Sequence, residues 1–134
     1  MILNNFIQEV WNEGDIDAAE RYIAASYAVR HDPGDPWHQR TLTRTEFKER
    51  VRISRAPFPD QRFVLQQTFE SADAIALTWL WSGRHTGDLP GIPASGKRIE
   101  MSGATVYYFE HLQITGHWQI ADRLGVLQQL RSTP

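Results

Sequence analysis

The chain has 134 residues, 41% of them hydrophobic and 22% charged, with a formal net charge of -2 and no cysteine. That size fits one globular domain over residues 1–134; scattered basic residues exclude a nucleic-acid partner, and the missing cysteines exclude disulfides, thiolate metal sites and cysteine nucleophiles. No apolar run approaches the ~18 residues of a membrane span, and "MILNNFIQEVWNEGD" lacks the basic start and cleavage site of a leader, so the protein is expected to be cytoplasmic.

Leu3, Phe6, Ile7, Val10 and Trp11 recur every three or four residues, the stripe of an amphipathic helix that ends near Gly14. Asp15 is suited to cap a second helix whose buried side is Ile16, Ala19, Tyr22 and Ile23. The segment "AVRHDPGDPWHQR" holds Pro33, Gly34 and Pro36 within four positions and reads as a loop. Thr43 and Glu46 then fit a capping box that opens a third helix, which runs through Phe47 and Val51 until Pro57 and Pro59 stop it. Beyond Pro59 the pattern changes to alternation in "RFVLQQTFE", "AIALTWLWSGRH", "IEMSGATVYYFE" and "ITGHWQIAD", four strands separated by turn-like breaks. Helices followed by strands with short connections imply an α+β fold, a curved antiparallel sheet wrapped around N-terminal helices and enclosing a hydrophobic pocket.

Some apparent motifs fail on chemistry. "GIPASGKR" has the glycine and lysine spacing of a phosphate-binding P-loop, but Arg98 replaces the hydroxyl residue and a strand follows where a helix should start. It reads as a hairpin loop, with a lid over a pocket mouth as its functional alternative. His31, Asp32, Asp35 and His38 offer imidazole and carboxylate, yet nothing in their spacing makes the histidines converge, so no metal is expected. Neither Lys48 nor Lys97 lies in an apolar setting that would suit a Schiff base, and no Gly-x-Ser-x-Gly elbow occurs. What remains is cofactor-free acid/base chemistry by a carboxylate.

Two strands raise a question of facing. In the last strand Asp122 shares a face with Trp118 and Ile120, and in "AIALTWLWSGRH" His85 continues the row of Trp79 and Trp81. Either these polar groups end an apolar face in water or at a backbone partner, or they are set against a pocket. Tyr107 and Tyr108 give one hydroxyl to each face of their strand.

The order of two helices, "HDP", a third helix, "FPD", "WSGRHTGDLPGIPASGKRIEMSGATVYYFE" and "ITGHWQIADRLGVLQQL" resembles the SnoaL-like polyketide cyclases over nearly the whole chain. The resemblance implies a nuclear transport factor two-like cone around a hydrophobic pocket, commonly assembled as homodimers or homotetramers. It further implies cofactor-free, metal-free ring closure by intramolecular aldol condensation, with the family's acid/base aspartate falling on Asp122. "EHLQ" departs from the tight turn that relatives often carry between the last two strands.

Set beside Trp118 and Ile120, Asp122 would be desolvated and poised to take a proton from a carbon between two carbonyls, then return it to the new alkoxide. His85 is the first expected oxyanion donor and Tyr108 the second; Trp81 and Trp118 would line the cavity for a hydrophobic small-molecule substrate, with His31 at its rim. Three other readings stand beside this one. The cone can be a non-catalytic binding module, or an isomerase or epoxide hydrolase with Arg84 and Asp60 as partners of Asp122. It can also be an oligomeric scaffold that uses "LGVLQQL" as an interface strip.

Overall fold

The N-terminal apolar stripe forms α1 (Ile2–Phe6), which widens without a break into a π-helix over Ile7–Asn12 and buries Leu3, Phe6, Ile7, Val10 and Trp11. The computed structural model describes residues 1–132. The expected second helix is a short 3-10 helix, Ile16–Arg21, and Ile23 already belongs to β1 (Ile23–His31). The spacing of Ile16, Ala19, Tyr22 and Ile23 fits a helix, but the backbone of Ile23 pairs with Ile114 across the sheet, and tertiary pairing overrides the local pattern. β1 takes up the start of the expected loop, and β2 (Thr41–Thr43) pairs back onto it.

α2 (Arg44–Arg55) begins at the predicted capping box: Glu46 N–H donates to Thr43 Oγ1 at 3.1 Å, and Thr43 N–H donates to Glu46 Oε1 at 3.0 Å. Four long strands follow, β3 (Arg62–Glu70), β4 (Ala74–Arg84), β5 (Arg98–Glu110) and β6 (Gln113–Ala121), and then α3 (Arg123–Arg131). Among the described residues the strands form one curved six-stranded sheet in the order β2-β1-β6-β5-β4-β3. Its neighbours are antiparallel except β1 and β6, which run parallel. The departing "EHLQ" is a two-residue turn in which His111 and Leu112 both take positive φ, the conformation such hairpins require.

One face of the sheet packs on α1 and α2 around Phe6, Phe47, Val51, Leu77 and Ile99, each buried side chain contributing about 1.5–3 kcal/mol. The other face is open, with Val64, Leu80, Trp118 and Ile120 exposed. No helix among the described residues is long and apolar enough to cross a membrane.

Candidate active site

Between the inner face of the sheet and the helices lies a cavity of about 520 Å³. Its walls are aromatic: Trp11 from the N-terminal helix, Phe58 after α2, Phe63 from β3, and Trp79 and Trp81 from β4. Leu89, Pro90 and Ile92 of the loop between β4 and β5 line it too, with Val126, Leu127 and Leu130 of α3 beside them. The expected interface strip "LGVLQQL" is therefore part of a helix with its apolar side turned to the cavity. Lys97 holds that helix at its C-terminus, donating from Nζ to the carbonyls of Leu130 (3.1 Å) and Ser132.

One end of the cavity is charged. Asp32, fully buried, accepts from His117 Nε2 at 2.8 Å, Gln119 Nε2 at 3.2 Å and Arg50 Nη2 at 3.2 Å, and pairs with Arg123 Nη1 at 2.8 Å. Burial pushes this carboxyl up, but the His117 hydrogen bond and the Arg123 and Arg50 charges outweigh it and hold it below the ordinary aspartate value. Burial also lowers His117, so its imidazole is neutral: Nε2–H donates to Asp32, and Nδ1 accepts from the Tyr27 hydroxyl at 2.5 Å. Gln119 is oriented in turn. Trp79 Nε1–H donates to Thr105 Oγ1 at 2.9 Å, and the Thr105 hydroxyl donates to Gln119 Oε1 at 2.6 Å.

Asp35 differs from Asp32. It lines the cavity, as no other carboxylate among the described residues does, and accepts from Arg50 Nη2 at 3.0 Å and Trp37 N–H at 2.8 Å. Asp32 is saturated; Asp35, paired with Arg50 and with Arg123 Nη2 at 3.6 Å, lines the cavity.

The expected site residues are divided by this arrangement. Trp81 lines the cavity. Asp122 lies outside it, capping α3 by accepting from Gly125 N–H at 3.0 Å, beside a second pocket of about 450 Å³ on the outer face with Leu80 and Ser102. Trp118 is on the same outer face, stacked on His31 at 4.8 Å, and the ring of Tyr108 is covered by the Arg30 guanidinium at 3.6 Å. The physical reason is one of facing: His117, Gln119 and Ala121 are the inner residues of β6, so the Trp118, Ile120 and Asp122 row points outward. His85 is buried away from the cavity, and its Nε2 has no hydrogen-bond partner among the described residues. Its Nδ1 meets Ser95 Oγ at 2.9 Å and accepts from Ser95 N–H at 3.2 Å, behind Phe58. Arg84 and Asp60 meet each other, through the Arg84 N–H at 2.8 Å, and neither lines the cavity.

The sequence reading missed Asp35, Arg50, His117, Gln119 and Arg123 as site residues. The available signal was the polar inner row of β6, which alternation defines as well as it defines the apolar one.

A curved sheet packed by helices around an aromatic-lined cavity defines the nuclear transport factor two-like class of α+β cones. Within it the chain belongs to the SnoaL-like polyketide cyclase family, whose sequence model matches residues 1–130. A candidate polyketide cyclase from Acidithiobacillus ferrooxidans is 58% identical, with a TM-score of 0.93 over 97% of this chain and 92% of that one. IdmH, a candidate polyketide cyclase from Streptomyces antibioticus, shares the fold at 24% identity and a TM-score of 0.83, covering 98% of this chain and 96% of its own. A candidate SnoaL-like polyketide cyclase from Jannaschia sp. CCS1 does so at 15% identity and 0.84, covering 99% and 91%. Among curated proteins no match is found.

Proposed function

We propose that this protein catalyses cofactor-free acid/base chemistry on a hydrophobic β-keto small molecule, closing a ring by intramolecular aldol condensation. The observation that carries the reading is a carboxylate, Asp35, at the charged end of an aromatic cavity. Asp35 takes the proton from the carbon between two carbonyls, and the C–H electron pair becomes an enolate. That carbon attacks a second carbonyl of the same molecule, and protonated Asp35 returns its proton to the alkoxide. The aromatic walls hold the flexible chain folded, turning a conformational search into a near-attack geometry. Asp122, first expected as the acid/base, gives way to Asp35 because it does not line the cavity; nor does His85, first expected as the oxyanion donor.

The test needs no knowledge of the natural substrate. Exchange of the activated C–H of a phenyl-substituted β-diketone with deuterated water, followed by NMR, should be accelerated by the protein. Asp35→Asn should lose about 100- to 10,000-fold of that acceleration. Binding without exchange would leave a carrier of hydrophobic ligands in place of an enzyme.

One observation favours a second reaction class. Arg50 Nη2 bridges Asp32 and Asp35, and epoxide hydrolysis needs such a pair of carboxylates and an arginine around one water. Turnover of an aryl epoxide with no diketone exchange would select it. Self-association to a homodimer is supported by the apolar outer face, where Val64, Leu80 and Ile120 stand exposed; light scattering reads it directly.

A further inference from the structure

Arg50 makes both of its carboxylate contacts through Nη2, and its Nε proton has no partner among the described residues. The residue is 5% exposed and lines the cavity, with its guanidinium carbon 5.5 Å from the Trp11 ring centre. A buried, charged donor left without an acceptor keeps its desolvation cost uncompensated. Asp32 keeps Arg50 from turning to recover that cost, because His117 and Gln119 hold the same carboxylate oxygen that Arg50 meets. The unfilled donor is thus held in place, closed to solvent, on a residue that lines the cavity.

We propose that Arg50 is the oxyanion-binding residue of this cavity, its Nε–H receiving the oxygen of a ligand bound as an enolate or phenolate. The proposal rests on the acid/base reading of the site and names the electrophilic partner of Asp35. Charge balance supports it. Asp32 and Asp35 offset Arg50 and Arg123, and His117 is neutral, so the cluster sums to zero. When the C–H bond of the ligand breaks and its proton passes to Asp35, the sum is unchanged. The negative charge moves from Asp35 to the ligand oxygen beside Arg50. No net charge is created in a low-dielectric space, the condition under which a fixed donor stabilises a developing oxyanion best.

The experiment uses para-nitrophenol, whose neutral and ionised forms absorb at different wavelengths, with para-nitroanisole as the neutral control. It is run on the full chain at a pH where most of the free probe is still phenol. Bound probe should show the phenolate band, with phenolate favoured about 10- to 100-fold over its balance in water, and should bind more tightly than the anisole. Arg50→Gln should abolish the preference, and Arg50→Lys, which keeps the charge and loses the fixed N–H, should lose most of it. Asp35→Asn should keep or strengthen the preference, since it removes a negative charge from the site.

A bound probe that stays phenol, or no phenolate band at millimolar probe, overturns the proposal in the wild-type protein alone, whether or not the variants fold. So does a preference that survives in a folded Arg50 variant. Unchanged diketone exchange in Asp35→Asn would instead sink the acid/base reading while leaving the phenolate preference intact, so the two failures are separable.

Discussion

Replacing Asp32 by asparagine is the most demanding perturbation of this fold, because the carboxylate is shared by four donors on three elements. Its oxygens lie 2.8 Å from His117 Nε2, 2.8 Å from Arg123 Nη1, 3.2 Å from Arg50 Nη2 and 3.2 Å from Gln119 Nε2, with no exposure to solvent. Asparagine keeps the shape but brings an NH2 group to a place where every neighbour donates. It also leaves Arg50, itself buried, with only Asp35 as counter-charge. Hydrogen bonds to charged groups contribute about 1.5–3 kcal/mol each, yet four that share one carboxylate do not add. The cost of breaking a buried pair by removing one partner, about 3–5 kcal/mol, is the appropriate magnitude. For a chain of this size that lowers Tm by roughly 10–20 °C. Urea unfolding followed by tryptophan fluorescence reads it, at an unchanged m-value. A loss below about 1 kcal/mol would refute the claim that Asp32 ties the web together.

Stability should also fall with acid in two stages. His117 has a folded value below the ordinary ~6.5, so its contribution is complete above that pH and is lost as pH falls through the lowered value; Asp32 repeats this from ~3.9 downward. Urea midpoints that stay flat from neutrality into the carboxylate range would contradict the neutral, buried imidazole. Asp122→Ala removes the α3 cap and should cost about 1 kcal/mol while leaving diketone exchange intact; abolished exchange in a folded variant would return the chemistry to Asp122. Gly103→Ala would set a Cβ 2.3 Å from the Trp79 ring and 2.7 Å from the Ile120 carbonyl, so ligand affinity should drop along with Tm. Thr105→Val strands Trp79 Nε1–H and frees Gln119; about 1–3 kcal/mol should be lost, and Thr105→Ser should restore most of it.

The parts of the fold that were legible are those fixed by neighbours in sequence. The capping box of Thr43 and Glu46 marks the start of α2, and the alternation of "RFVLQQTFE" and its three successors marks the long strands, because both signals act over a few residues. β1 and α3 were not legible. Ile23 fits a helical stripe until Ile114 is beside it, and Val126, Leu127 and Leu130 look like a surface strip until a cavity is found under them.

The site was hidden for a related reason. Alternation in β6 separates Trp118, Ile120 and Asp122 from His117, Gln119 and Ala121, but period two cannot say which row is inside. The hydrophobic effect favours burying the tryptophan row, and in a strand that merely closes a core that choice would hold. In β6 the inner row contributes to the charged end of a cavity, and its histidine and glutamine are made tolerable in the interior by hydrogen bonds to Asp32. Those partners come from far away: the His117 to Asp32 contact joins positions 85 apart, and Asp32 to Arg50 spans 18. No local spacing encodes such a web. The apolar outer row is the exception to the burial rule, and the polar row opposite it gives β6 its place at the charged end of the cavity.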